Sequence, residues 1–291
     1  MQKSNHSLNP WAIVAVATLA WATPLAANEI SINTDYAPSE SESVEIYVPP
    51  PENNRNLSCA ANLQGNIDNL IKSAPNKWGI LVESVENGTV FYSHNADKYF
   101  IPASNAKLFT TAAALQRLNP EGLLRSKSIR DWINITNLRS NNYTANLLFR
   151  YLGGSGAARS SLAQVGVDPN GYRLADGSGL SRNNVATPRA LVTILKVMND
   201  SPQRDIFYAS LPVAGVSGTL RNRMRQTPAQ GMVLAKTGTL SGVRALSGYM
   251  NHPDYGLLVF SIIANSPGQG QSLVQTIDKI VLQVSMSSSC N

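Results

Sequence analysis

The chain is poor in the residues that usually announce metal or redox chemistry. It has two cysteines in 291 residues, which excludes a disulfide-dense mini-scaffold and a four-cysteine zinc site. Its three histidines, His6, His94 and His252, are scattered without metal-ligand spacing, so no metal and no cofactor is expected. No glutamate follows Glu121, which excludes a glutamate-activated hydrolytic water from more than half of the chain. No G-x-S-x-G string occurs, which excludes the nucleophile elbow of histidine-dependent serine hydrolases. No apolar run reaches the ~20 residues that a membrane-spanning helix needs.

What is present suits a folded, basic, exported body. The hydrophobic fraction of 43% is enough for a real core. The formal net charge of +6 is unevenly spread. Residues 28–58 carry Glu29, Asp35, Glu40, Glu42, Glu45 and Glu52 against Arg55 alone, and residues 1–27 carry only Lys3, which leaves +10 on residues 59–291. Such a charge suits an anionic setting, or is simply a solvated surface. No basic run is interleaved with aromatics, so nucleic acid is not an expected partner. Lys3, the short apolar run Trp11–Ala22 and the small-residue ending Pro24-Leu-Ala-Ala27 read as a secretory signal peptide over 1–27, with an uncleaved anchor as the alternative. Residues 28–58, acidic and holding Pro49-Pro-Pro51, read as a disordered spacer. Residues 59–291 then form the folded domain, with no membrane-spanning segment of its own.

Periodicity gives that body a layout. Ala61–Ser73 has helical spacing through Leu63, Ile67, Leu70 and Ile71. Gly79–Ser84 and Thr89–Ser93 flank Asn87-Gly88, a hairpin signal in which Asn-Gly would supply the positive φ values of a tight turn. Ser104–Leu118 predicts a buried helix. Further helices are expected over Asn142–Leu152, Ala157–Val165 and Thr187–Met198, with Gly153-Gly-Ser-Gly156 as a helix–helix turn. Gly231–Gly238, Arg244–Met250 and Gly256–Ala264 predict strands, and Ser272–Val284 a closing amphipathic helix. The order implies an α+β fold: an antiparallel sheet built from both ends of the body, flanked by N- and C-terminal helices, with an all-helical region inserted.

Three short strings could carry chemistry. Ser104-Asn-Ala-Lys107 opens the Ala-rich helix, and a spacing of three puts both side chains on one face. A serine at a helix start lies beside free N–H groups that can stabilise an oxyanion, and a lysine with a lowered pKa can serve as its base. Alone, the string also reads as a cap and a solvated lysine. No other lysine here has a serine three positions before it. Ser140-Asn-Asn142 lies between predicted helices, but the S-x-N spacing recurs at Ser7, Ser31, Ser93, Ser181 and Ser289 and usually means a cap or turn. Lys236-Thr-Gly-Thr239 lies on a predicted strand, where a cation, two hydroxyls and a glycine suit a carboxylate ligand, or form an ordinary edge strand.

The order of the three strings is that of penicillin-binding proteins and class A β-lactamases. Longer stretches narrow it. Pro102–Leu115, Ser140–Ala145, Asp176-Gly-Ser-Gly-Leu-Ser-Arg182, Ser217–Met224 and Ala235–Tyr249 together resemble the S13 family of D-alanyl-D-alanine carboxypeptidases, the class C low-molecular-mass penicillin-binding proteins. The resemblance implies a β-lactamase/transpeptidase-like fold and an acyl-serine peptidase. In it Ser104 is the nucleophile, Lys107 its base, and Ser140 the proton relay. Asn142 holds the substrate backbone. Lys236 keeps the site electropositive and helps to hold Lys107 neutral by repulsion. Thr237 and Thr239 bind the terminal carboxylate, Gly238 stands between them, and the N–H groups of Ser104 and Thr239 form the oxyanion hole. It implies peptidoglycan peptides ending in D-Ala-D-Ala as substrates, β-lactams as covalent inhibitors, and a periplasmic or envelope location in a bacterium. Asp176-Gly-Ser-Gly179 is expected to be a structural turn near the site.

The chain departs from the family pattern in two places. Ser104 and Ser140 are 36 positions apart, where family members usually carry a large inserted domain. Position 146 is Asn where an acid is expected. The missing insert leaves a second reading, a wall-binding homologue with impaired catalysis. The absence of glutamate after Glu121 closes the class A β-lactamase route. The fold implied by the resemblance lays the first and last helices side by side, so Cys59 and Cys290 are a candidate disulfide in an exported protein.

Overall fold

The structure is a computed structural model that describes residues 58–267 and 270–288. The signal and spacer expected over 1–57 lie outside those residues, and so does Cys290. The sheet has five strands: β1 (Trp78–Ser84), β2 (Val90–His94), β3 (Val233–Leu240), β4 (Val243–His252) and β5 (Gly256–Asn265). Their order is β2-β1-β5-β4-β3, antiparallel throughout. The N-terminal hairpin thus docks on the C-terminal meander, as the order of the predicted elements implied.

Side-chain alternation along the strands builds two cores. Ile80, Val82, Leu246, Met250, Phe260 and Ile262 face α1 (Ala60–Ile71) and α8 (Gly270–Ser285). Leu81, Ala245, Tyr249, Val259 and Ile263 face the helical region instead. That region holds α2 (Ala106–Arg117), α3 (Ile129–Leu138), α4 (Asn142–Tyr151), α5 (Gly154–Gln164), α6 (Pro188–Asn199) and α7 (Arg204–Ala209). Helix α2 is its axle: every residue from Ala106 to Leu115 is buried. Its alanines let α3, α4, α5 and α6 approach closely, and Phe109 stacks on Tyr172 with ring centroids 4.4 Å apart. Burying one such ring is worth about 2 kcal/mol.

Local signals set several boundaries. Thr187 caps α6 by accepting from the Ala190 N–H, with Pro188 in the first turn. Ser128 caps α3 and Asn141 caps α4 in the same way. Two expectations need correction. The β1–β2 turn is wider than a two-residue hairpin: Ser84 N–H bonds Thr89 O, and only Gly88 of the Asn-Gly pair has positive φ. The Gly153–Gly156 run is not a turn throughout. Gly153 turns the chain at φ 106°, and α5 starts at Gly154, because the short residues that follow tolerate a helix packed closely on α2. Between Ser104 and Ser140 the chain holds α2, a short hairpin (Leu123–Leu124 with Lys127–Ser128) and α3, with no further domain.

Helices α1 and α8 pack together, and Ser58–Cys59 pairs in parallel with Ser287–Ser288. Cys59 is the register partner of Ser288, two positions before Cys290 in the chain. A Cys59–Cys290 bridge therefore predicts no titratable thiol in the denatured, unreduced protein and two after reduction. Two thiols before reduction would rule it out. Among the described residues no helix is long and apolar enough to cross a membrane.

Candidate active site

Ser104 sits in a 3-10 turn, Ala103–Asn105, that runs directly into α2. Ala103 has φ 48°, a left-handed conformation that costs a non-glycine residue on the order of 1 kcal/mol. A chain of two hydrogen bonds, one from the turn and one within the sheet, pins this turn to the sheet. Asn105 Nδ2 donates to Ser247 Oγ at 2.7 Å, and Ser247 Oγ donates to Ser261 Oγ at 2.9 Å. Gly238 on β3 allows the approach: a Cβ there would stand 2.7 Å from Pro102 O and 3.0 Å from the Ala245 Cβ.

Lys107 lies one turn below Ser104 and is wholly buried. Its Nζ donates to Ser104 Oγ at 2.9 Å, to Asn142 Oδ1 at 2.7 Å and to Ser178 O at 2.6 Å. Burial lowers its pKa to about 8, against an opposing pull from the Asp176 charge. Burial is thus the leading cause, and the repulsion between the two lysines shows on Lys236.

The Asp176–Arg182 turn delivers the Ser178 carbonyl. Asp176 Oδ1 accepts from the Ser178 and Gly179 N–H groups, each at 2.7 Å, and from Ser178 Oγ at 2.8 Å. Its Oδ2 accepts from Ser181 N–H at 2.7 Å and from Asn184 Nδ2 at 3.2 Å. Burial raises the Asp176 pKa, but these donors outweigh it and hold the carboxyl below its usual value. Asn146 Oδ1 accepts from Gly177 N–H at 3.0 Å, and Thr110 Oγ1 donates to Gly177 O at 2.9 Å, so the turn is clamped to α4 and α2. An amide at position 146 supplies the acceptor that an acid would. At Gly179, φ is +82° and a Cβ would stand 1.9 Å from Ala103 O. Gly179→Ala is expected to destabilise the fold by ~2 kcal/mol or more in urea unfolding, with loss of the site. An unchanged midpoint would contradict this geometry.

Ser140 lies between α3 and α4 at φ 52°, again left-handed and non-glycine. Its Oγ accepts from Lys236 Nζ at 2.8 Å, and the same ammonium reaches Thr237 O at 2.9 Å. Lys236 is fully buried; desolvation first, and the neighbouring Lys107 charge second, push its pKa well below that of a free lysine. Asn142, in the first turn of α4, accepts from Lys107.

Strand β3 forms the floor at the sheet edge. Segment 212–214 pairs with its start: Ala214 N–H bonds Val233 O, and Ala235 N–H bonds Pro212 O. The two-residue period then turns the N–H groups of Thr237 and Thr239 to the same outer edge. Side chains alternate too. Lys236 and Gly238 face the turn that carries Ser104, whereas Thr237 and Thr239 share the face of Val233 and Ala235, which pack toward α8. A cleft of about 340 Å³ opens here, lined by Ser104, Ser140, Asn142, Thr237 and Thr239. All the predicted catalytic side chains thus converge, with Lys107 and Lys236 beneath its lining. Leu180, Thr219, Arg223 and Val274 also line it, and sequence reasoning singled none of them out. Leu180 falls within the stretch Asp176–Arg182 and Thr219 and Arg223 within Ser217–Met224, both similar to the S13 family, but their side-chain directions depend on loops without periodicity. Thr219 Oγ1 and Thr237 Oγ1 are 2.8 Å apart.

The profile of the D-Ala-D-Ala carboxypeptidase 3 (S13) family matches residues 63–123 and 122–284. A D-alanyl-D-alanine carboxypeptidase of Actinomadura sp. (strain R39) is 46% identical over 142 residues, covering 43% of this chain and 26% of the relative. The penicillin-sensitive carboxypeptidase A of Dictyostelium discoideum is 38% identical over 178 residues, covering 54% and 34%. The chain therefore matches about a quarter to a third of the length of these relatives. Penicillin-binding protein 4 (dacB) of Haemophilus influenzae superposes with a TM-score of 0.67 at 15% identity, over 76% of this chain and 99% of that structure. The TLA-3 extended-spectrum β-lactamase superposes with a TM-score of 0.66 at 17% identity, over 78% and 98%. The fold is thus the one shared by penicillin-binding proteins and class A β-lactamases, and the chain belongs to the D-Ala-D-Ala carboxypeptidase 3 (S13) family.

Proposed function

We propose that this chain is a serine-type D-Ala-D-Ala carboxypeptidase that works through an acyl-serine and is captured covalently by penicillins. The observation that carries this reading is a pair of Ser–Lys contacts, Ser104–Lys107 at 2.9 Å and Ser140–Lys236 at 2.8 Å, both serving one cleft. Neutral Lys107 takes the Ser104 proton as Oγ attacks the carbonyl of the penultimate D-Ala. The tetrahedral oxyanion is held by the N–H groups of Ser104 and Thr239; each such donor lowers the barrier by ~3 kcal/mol. Ser140, held by Lys236, relays the proton taken up by Lys107 to the departing amine of the terminal D-Ala, which returns Lys107 to its neutral form. Water then attacks the acyl-enzyme, its proton moving back through the same groups. Asn142 orients Lys107 and the substrate backbone, and Thr237 and Thr239 receive the terminal carboxylate. The setting is the peptidoglycan of a bacterial envelope, reached by export with removal of residues 1–27.

Incubation with an N-acylated peptide ending in D-Ala-D-Ala should release one equivalent of D-alanine per peptide, and benzylpenicillin should inhibit the release. No release and no penicillin adduct would overturn the assignment. Without a domain inserted between Ser104 and Ser140, the cleft should also admit a crosslinked peptide dimer. Hydrolysis of the monomer alone would contradict that extension.

A further inference from the structure

Three separate elements carry the catalytic groups, and one buried side chain outside the cleft touches the support of all three. Asn137, in the last turn of α3, is fully buried and is not among the residues that line the cleft. Its Nδ2 donates to Thr111 Oγ1 at 3.1 Å and to Ser210 Oγ at 2.9 Å. Thr111 stands one helical turn after Lys107 on α2 and donates to the Lys107 carbonyl at 2.8 Å. Ser210 follows α7 and donates to Phe207 O at 2.6 Å. Two residues further on, Pro212 O accepts from the Ala235 N–H, next to Lys236 on β3. The backbone O of Asn137 accepts from the Ser140 N–H at 3.3 Å. One residue thus bears on the helix of Lys107, the turn of Ser140 and the segment that pairs with the strand of Lys236. The bonds have a fixed direction. Both hydroxyls spend their hydrogens on carbonyls, so the group between them must donate twice, which an amide nitrogen does and a carboxylate does not. Asn137 Oδ1 is buried as well, with no hydrogen-bond partner among the described residues. A position that needed only volume would be better filled by leucine, because burying an unpaired amide oxygen is unfavourable.

We propose that Asn137 is a positioning residue for the acyl transfer, its amide fixing the distance between the Ser104–Lys107 pair and the Ser140–Lys236 pair. The reaction needs both pairs at once, and they reach the cleft from different elements. The hydrogen bond inside each pair holds that pair together but does not set its distance from the other. The Lys107–Asn142 bond joins α2 to α4 at the cleft. The Asn137 amide joins α2 to α3 away from it and adds the segment that pairs with β3. An error of ~1 Å between groups that act together costs about a hundredfold in rate. The proposal rests on the acyl-serine reading above.

The test reads the rate constant of Ser104 adduct formation with benzylpenicillin by intact mass, at a pH above the Lys107 pKa of about 8. The final labelled fraction and the melting temperature are read on the same samples. Unfolded molecules lower the labelled fraction, whereas misplaced groups lower the rate constant. Asn137→Leu fills the same space without donors and should slow acylation at least about tenfold, with a labelled fraction near that of the wild type. Asn137→Gln keeps the donors and should recover part of the rate. Thr111→Val and Ser210→Ala each cut one arm. Each should slow acylation severalfold, and neither should slow it further in the Asn137→Leu background. Tyr249→Phe removes a buried hydroxyl bonded to Leu195 O at 2.6 Å and should leave the rate within about twofold, whatever it does to the melt. An unchanged rate constant in Asn137→Leu would overturn the proposal. So would a loss that higher pH restores, because the residue would then act on the base and not on the spacing. Should Asn137→Leu fail to fold, unchanged rates in both single-arm variants would overturn it. Absence of any adduct in the wild type would remove the acyl-serine reading and this proposal together, whereas variants labelled at the full wild-type rate remove the proposal alone.

Discussion

Ser104→Ala should eliminate the covalent penicillin adduct and lower D-alanine release by about a millionfold, the scale on which loss of a serine nucleophile acts elsewhere. The size of the effect follows from the site. Ser104 Oγ is the hydroxyl that Lys107 reaches at 2.9 Å, and the other cleft serine, Ser140, is bonded to Lys236. No second nucleophile is therefore paired with Lys107 among the described contacts. Stability should hardly move. Ser104 is half-buried, its hydroxyl contributes one hydrogen bond, and Lys107 keeps Asn142 and the Ser178 carbonyl when that bond is lost. A change within ~1 kcal/mol is expected. Intact-mass measurement after exposure to benzylpenicillin, with a thermal melt on the same sample, checks both halves. An adduct on the alanine variant would move the nucleophile away from Ser104 and dismantle the assignment.

The candidate site positions were legible through the ordered stretches that resemble the S13 family, and some of the contacts among them follow from local or periodic geometry. Ser104 and Lys107 need only one helical turn to meet. Lys236 and the two threonines need only the two-residue period of a strand. The sheet order could be anticipated from hairpin and meander signals at the two ends of the body. What stayed hidden depends on long-range packing. Arg223 enters the cleft because α8 presents Asp278, 55 positions later. Ser178 O meets Lys107 because Asp176, Asn146, Thr110 and Asn184 fold a turn that has no period of its own. The expectation for Asn-Gly at 87–88 missed the true width of the turn, because the neighbouring Val82/Glu83 register shift widens the hairpin. The six-residue α7 went unpredicted for a related reason: it is too short to show an amphipathic period and is held by tertiary contacts through Phe207.

The electrostatics of the site lead to the second large effect. Lys107 must be neutral to accept the Ser104 proton, and burial brings its pKa from the ordinary lysine value of 10.5 to about 8. At pH 7 roughly a tenth of the molecules then carry the competent base. The acylation rate should therefore rise about tenfold per pH unit up to about pH 8 and level off above it. Lys107→Met removes the base and should lower acylation by ~10³-fold while erasing that ascending limb. A variant that lost rate but kept the limb would place the titrating group elsewhere. The same shift reappears in stability with a definite sign. The native lysine sheds its proton near pH 8, whereas the unfolded chain keeps it until about 10.5, so the unfolded state binds more protons in between and stability increases with pH across that window. From pH 8 to 9.5 the wild type should gain about 2 kcal/mol relative to Lys107→Met. Lys236 shifts in the same direction, and the Lys107 charge is one cause of that shift, so the difference reads the coupled lysine pair with Lys107 as the group removed. A fold that grows more stable as it loses this proton is the thermodynamic counterpart of a base kept uncharged by burial: the cost of hiding the ammonium below pH 8 is what makes the free amine available to Ser104.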